Sequence, residues 1–176
     1  MVAESMKNRY NLALVPLNKH DDLRAFAKNF YAIALNYRMG ETSIPHITLC
    51  QFIADENDLG AIWADASRIQ ESKVLRIRLN EVRCLASPGF NAVSLMPDNE
   101  EALTTLHYAI ANLVEERRSK CFAEYDPHLT VINTEKPEFE NYVSGIAYET
   151  IEDDFNLVLG LSDDLGQLKS IIYKVS

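Results

Sequence analysis

Apolar positions along the chain follow two periods, and they do so in an order that occurs twice. Leu23, Phe26, Phe30 and Ile33 recur at helical spacing, as do Leu59, Ile62, Ala66 and Ile69. Leu103, Leu106, Ile110 and Leu113 form a third set, and Phe139, Tyr142, Val143 and Ile146 a fourth. Each set marks one face of an amphipathic helix. Between them lie short runs of strand character at 11–17, 74–79 continuing to 85, 91–97, 155–159 and 168–173. Asp21 and Asp22, then Glu100 and Glu101, stand at the starts of two of the helices, where negative charge meets the positive end of the dipole. Pro137 suits the first turn of the last helix. Ser-Pro-Gly at 87–89 and Asp-Asp-Leu-Gly at 163–166 read as turns.

The duplication is also visible residue by residue. Residues 43–49 read Ser-Ile-Pro-His-Ile-Thr-Leu and residues 125–131 read Tyr-Asp-Pro-His-Leu-Thr-Val, so Pro-His-aliphatic-Thr-aliphatic occurs twice. Pro16 ends a strand 30 residues before His46, and Pro97 ends one 31 residues before His128. Each copy runs strand, helix, motif strand, helix, strand over about 80 residues, approximately 10–85 and 90–174. That is small for two independent cores, so the expectation is one domain over 1–176 with two lobes and a ligand crevice between them. No Gly-rich or Pro-rich linker separates the halves.

Composition narrows the classes. A chain of 176 residues with 47% hydrophobic and 24% charged residues has the means to pack a core. No run approaches the roughly 18 apolar residues of a membrane span, and the first residues lack a basic stretch followed by an apolar one, so a cytoplasmic protein with no membrane partner is expected. Cys50, Cys84 and Cys121 are odd in number and scattered, which reads as free thiols in a reducing compartment. A net charge of −9 argues against an extensive nucleic-acid surface and leaves room for a small anionic ligand. A monomer is expected.

Strict alternation along the motif strands puts His46, Thr48, Cys50 and Phe52 on one face, and His128, Thr130, Ile132 and Thr134 on the matching one. Two imidazoles supply an acid and a base near neutral pH, and two hydroxyls supply donors to phosphate oxygens. In-line attack at phosphorus needs a base on one side and an acid on the other, the arrangement two symmetry-related histidines provide. No metal is expected: catalytic zinc usually takes three protein ligands, and neither motif carries a second ligand at the required spacing.

Pro45-His-Ile-Thr-Leu49 and Pro127-His-Leu-Thr-Val131 resemble the paired signature of the two-histidine (2H) phosphoesterase superfamily, which includes RNA ligase-like proteins and 2′,3′-cyclic nucleotide phosphodiesterases. The resemblance covers nearly the whole chain. It implies an α+β fold of two lobes, antiparallel sheets facing a central cleft with helices packed outside. It implies His46 and His128 as catalytic acid and base, with His46 on the leaving oxygen and His128 on water, and Thr48 and Thr130 as phosphate-binding residues. The implied activity is cofactor-free hydrolysis of 2′,3′-cyclic phosphates of nucleotides or RNA ends. A 2′-5′ RNA ligase or phosphodiesterase, and a non-catalytic nucleotide- or RNA-binding module, are the alternatives. The chain departs from the bacterial RNA ligase-like branch at Gln51, where that branch favours Phe, and at Asn133, where it favours Arg.

Other residues carry two readings. Phe52 and Tyr125 are candidate substrate-lining aromatics able to stack on a base, or core residues. Cys50 reads as a small floor residue of the crevice. Arg117, Arg118 and Lys120 form a basic cluster that meets a ligand phosphate or simply ends a helix. His20 and His107 read as structural or solvated.

Overall fold

The computed structural model describes residues 7–69, 74–117, 119–121 and 125–175. Among these residues seven strands and four α-helices follow one another as β1 (Lys7–Pro16), α1 (His20–Lys28), β2 (Ile47–Asp55), α2 (Leu59–Ile69), β3 (Val74–Ser87), β4 (Phe90–Pro97), α3 (Glu100–Glu116), β5 (Leu129–Thr134), α4 (Phe139–Ser144), β6 (Ile151–Ser162) and β7 (Leu168–Lys174), with a short 3-10 turn at Glu56–Asp58 before α2. This is an α+β protein. All strand pairings are antiparallel, and the strands join into one hydrogen-bonded sheet rather than separate ones, in the order β2-β1-β6-β3-β4-β5 with β7 also on β6. The closing strand of each sequence copy pairs with the opening strand of the other: β3 with β4, and β6 with β1. Neither copy therefore completes its own part of the sheet.

Leu12, Leu14, Ile47, Leu49, Cys50 and Phe52 from β1 and β2 pack with Leu23, Phe26, Ile62, Leu103, Ile110 and Phe139 of the helices in one core cluster. Burial of such side chains is worth about 1.5–3 kcal/mol each and is what holds helices to sheet. Ala13 and Val15, which alternate with Leu12 and Leu14, belong to a smaller cluster on the opposite sheet face with Val158 and Leu168.

Three helices differ from the periodic pattern. α1 stops at Lys28, short of Phe30 and Ile33, because the next residues tighten into turns in which Asn29, Phe30 and Ile33 each bond the carbonyl three residues back. Phe30 is still buried, and the turns deliver segment 35–39 to β5, where Leu35 N–H bonds Asn133 O and Met39 N–H bonds Val131 O. The inward stripe of α3 is Leu103, His107, Ile110 and Val114, one position round from the expected one, with Leu106 and Leu113 only partly buried. α4 begins at Phe139 behind a left-handed Glu138, so Pro137 precedes the helix instead of occupying its first turn.

Asp153 of β6 anchors the chain before α1. Its carboxylate accepts from Asn18 N–H, Asn18 Nδ2 and Lys19 N–H at 2.7–2.9 Å. Burial pushes its pKa up, but these donors outweigh it and hold the group below its ordinary value. No described helix is long and apolar enough to cross a membrane.

Candidate functional site

Each motif strand carries a β-bulge at the same place. Leu12 pairs with Cys50 and Ala13 with Thr48, so Leu49 is the extra residue; Val93 pairs with Ile132 and Ser94 with Thr130, so Val131 is its counterpart. A bulge inserts one residue and reverses the alternation beyond it. Thr48 and Gln51 therefore share one face of the sheet, while Leu49, Cys50 and Phe52 are all buried toward the helices. This corrects two expectations from strict alternation. Phe52 is fully buried against Tyr10, with ring centroids 6.1 Å apart, and does not line the site. Cys50 is not a floor residue of the crevice. It is disulfide-bonded to Cys121, their Cα atoms 5.7 Å apart, so the free-thiol reading holds for Cys84 alone. The same shift takes Ile132 into the core, and Thr134 is buried with its hydroxyl on Ile33 O at 2.6 Å.

His46, Thr48, His128 and Thr130 line one cavity of about 200 Å³, together with Tyr37, Gln51, Phe90, Tyr125, Asp126, Leu165 and Gly166. Three wider grooves among the described residues, of about 820, 410 and 400 Å³, contain none of the four motif residues. Chemistry, not size, therefore selects the site. Tyr37, Phe90, Leu165 and Gly166 carry no periodic signal, since the hairpin, the turn and segment 35–39 bring them in from distant parts of the sequence.

His46 is 4% exposed, and its Nδ1 lies 2.7 Å from Ile44 O. His128 is half-buried, with Nδ1 2.6 Å from Asp126 O. A carbonyl only accepts, so Nδ1 carries the proton in both rings. Burial lowers the His46 pKa to about 4; the His128 charge pushes in the same direction, and the Ile44 and Gly166 backbone groups push against it. Buried in this way, His46 is neutral at neutral pH.

Thr48 Oγ1 accepts from Asn11 Nδ2 at 3.0 Å. Tyr125 does line the cavity, with one ring face stacked on His107 at 4.0 Å between centroids. His107 is buried, its Nδ1 on Leu49 O at 2.5 Å, so it supports the first bulge from below. His20 opens α1 and is outside the cavity. Of the basic cluster, Arg117 is paired with Asp65, neither it nor Lys120 lines the cavity, and Arg118 lies outside the described residues. Asn133 is buried, its Oδ1 accepting from Asn36 and Tyr37 N–H at 3.1 and 2.8 Å, so its side chain serves segment 35–39.

The antiparallel α+β fold and the two motifs meeting in one cavity place the chain among the two-histidine phosphoesterases. It belongs to the 2′-5′ RNA ligase superfamily, whose family model matches residues 18–155. Its fold is similar to that of E. coli LigT complexed with 3′-AMP, at 16% identity and a TM-score of 0.67 over 97% of this chain and 98% of that one. TT0787 of Thermus thermophilus is similar at 16% identity and a TM-score of 0.64, covering 96% and 97%. The MHV ns2 PDE domain is similar at 13% identity and 0.54, covering 96% and 100%. At these identities the likeness is one of fold. No curated protein sequence matches the chain.

Proposed function

We propose that this chain is a phosphodiesterase that hydrolyses 2′,3′-cyclic phosphates of nucleotides or RNA ends, using His46 and His128 as its acid–base pair and no metal. The observation that carries the reading is the matched state of the two imidazoles: each has Nδ1 committed to the carbonyl two residues back, in a cavity that also holds both threonines. The chain is read as one two-lobed domain over 1–176, its cleft formed where the two sequence copies meet.

Thr48 and Thr130 donate to the non-bridging oxygens. His128 takes a proton from the attacking water while His46 gives one to the departing ribose oxygen; one P–O bond forms, one breaks, and a monophosphate leaves. His46 must then hold a proton that burial alone denies it. The phosphate supplies the pull, because a negative charge within about 4–6 Å favours the imidazolium. The Ile44 and Gly166 backbone groups favour it too. General acid–base help of this kind is worth roughly 10²–10⁴-fold.

The bound ligands of solved relatives suit a nucleotide-sized substrate: LigT structures are described as complexed with 3′-AMP, ATP and NADP+. The superfamily's name keeps a second reading in view, cleavage or formation of 2′-5′ linkages. Turnover of 2′,3′-cyclic mononucleotides, 2′-5′ oligoadenylate and ADP-ribose 1″,2″-cyclic phosphate, all with EDTA present, separates these readings. Cleavage of none of them would overturn the enzymatic reading in favour of a binding module.

A further inference from the structure

We propose that Asn11 is a positioning residue: it fixes the direction of the Thr48 hydroxyl and so makes Thr48 a dedicated donor to the bound phosphate. The inference rests on the phosphate-binding role given to Thr48 above.

Asn11 sits fully buried in β1, between β2 and β6. A buried amide costs free energy unless all its polar atoms are paired. This one is only half paired. Nδ2 donates to Thr48 Oγ1, and Oδ1 is buried without a partner. An apolar residue would serve the sheet better, and the second copy has one: Asn11 pairs with Gln51 as Ala92 pairs with Asn133. Asn11 is therefore not explained by stability.

A hydroxyl has one hydrogen and two lone pairs. With a lone pair occupied by the Asn11 N–H, the Thr48 hydrogen points away from Asn11, and Thr48 is half-exposed on the cavity wall. That leaves the hydrogen to be given on the cavity side, where a non-bridging oxygen would lie. Thr130 has no such guide. Across the sheet from it stands Ser94, fully buried, whose Oγ has no partner, and among the described residues nothing bonds the Thr130 hydroxyl. The two threonines are equivalent in sequence and different in preorganisation: one donor is set before the ligand arrives and the other turns to suit it.

The test is a double-mutant cycle of Asn11→Ala and Thr48→Val, read as the Kd for inorganic phosphate and as kcat and KM for a 2′,3′-cyclic mononucleotide. Asn11→Ala should weaken phosphate binding about 5- to 10-fold, the worth of one hydrogen bond, mostly in KM. In the Thr48→Val background it should do nothing further. Asn11→Asp should be worse than Asn11→Ala, since a carboxylate would accept the Thr48 hydrogen and turn it from the ligand. Asn11→Ser, which keeps a donor, should recover part of the loss and serves as the second variant if Asn11→Ala does not fold. Additive effects, or an Asn11→Ala protein that binds phosphate like the wild type, would overturn the proposal while leaving the site's function intact. If Thr48→Val itself has no effect on phosphate binding, the phosphate-site reading fails and this inference fails with it.

Discussion

His46 and His128 carry the same hydrogen bond, Nδ1–H to the carbonyl two residues back in the chain, at 2.7 Å to Ile44 and 2.6 Å to Asp126. The bond sets the tautomer of each ring from its own strand entry, so neither imidazole depends on the other for orientation. Each should then be separately indispensable. His46→Ala and His128→Ala are each expected to lower kcat by roughly 10²–10⁴-fold, and the double variant little further, because the proposed acid and base would act as a unit. Steady-state rates on a 2′,3′-cyclic mononucleotide check this, with circular dichroism as the fold control. Near-wild-type turnover in either single variant refutes the assignment.

The buried, neutral His46 makes stability and binding depend on pH in a definite direction. Its folded pKa of about 4 lies below the ordinary 6.5, so between those values the unfolded chain binds the proton and the folded chain does not. Stability is full above about 6.5 and falls as pH drops toward 4, by roughly 3 kcal/mol at most. Denaturant titrations of wild type and His46→Gln from pH 7.5 to 4.5 should show a shallower acid loss in the variant. Phosphate binding at pH 7 should also take up a proton, seen as a calorimetric enthalpy that varies with the buffer's own ionisation enthalpy. Equal acid slopes in the two proteins, or a buffer-independent enthalpy, would count against a depressed His46.

The duplicated order, the helices and both motifs are legible in the sequence because they rest on local periods and on self-similarity. The face assignments beyond each threonine are not. A bulge is a property of two strands in register, and nothing in Leu49 or Val131 alone signals that it will be the unpaired residue. Strict alternation therefore puts Phe52 in the site and leaves Gln51 out, and the structure reverses both. Tyr125 stands out because it sits three residues before His128, whereas Asn11 and Asp153 act through partners 37 and 135 residues away.

Gly166 is a second place where a local feature serves the site. It adopts φ 77° in the turn before β7, and a Cβ there would lie 2.7 Å from Gln51 Nε2. Its backbone also faces His46. Gly166→Ala should cost about 1 kcal/mol in stability for the left-handed conformation. It should also raise KM more than it lowers kcat, by moving the Gln51 amide on the cavity wall. Melting temperature and steady-state kinetics measured together check this. A variant with normal stability and normal KM would show the turn to be more tolerant than its geometry implies.

The Cys50–Cys121 disulfide joins the first bulge to the chain that leads into the second motif. Cys121 stands four residues before Tyr125, which stacks on His107, which in turn bonds Leu49 O. Two links thus tie this stretch to the same short piece of β2. The bridge closes a loop of 71 residues, for which the chain-entropy model gives roughly 4 kcal/mol of stabilisation. Thiol titration under denaturing, non-reducing conditions should find one free cysteine, Cys84, and not three. Reduction should lower the denaturation midpoint, and Cys50→Ala/Cys121→Ala should reproduce the reduced protein and respond no further to dithiothreitol. Because the freed stretch carries Tyr125, Asp126 and His128 into the cavity, reduction should also raise KM. Three titratable thiols in the untreated protein, or a midpoint indifferent to reductant, would remove the bridge from the account of this site.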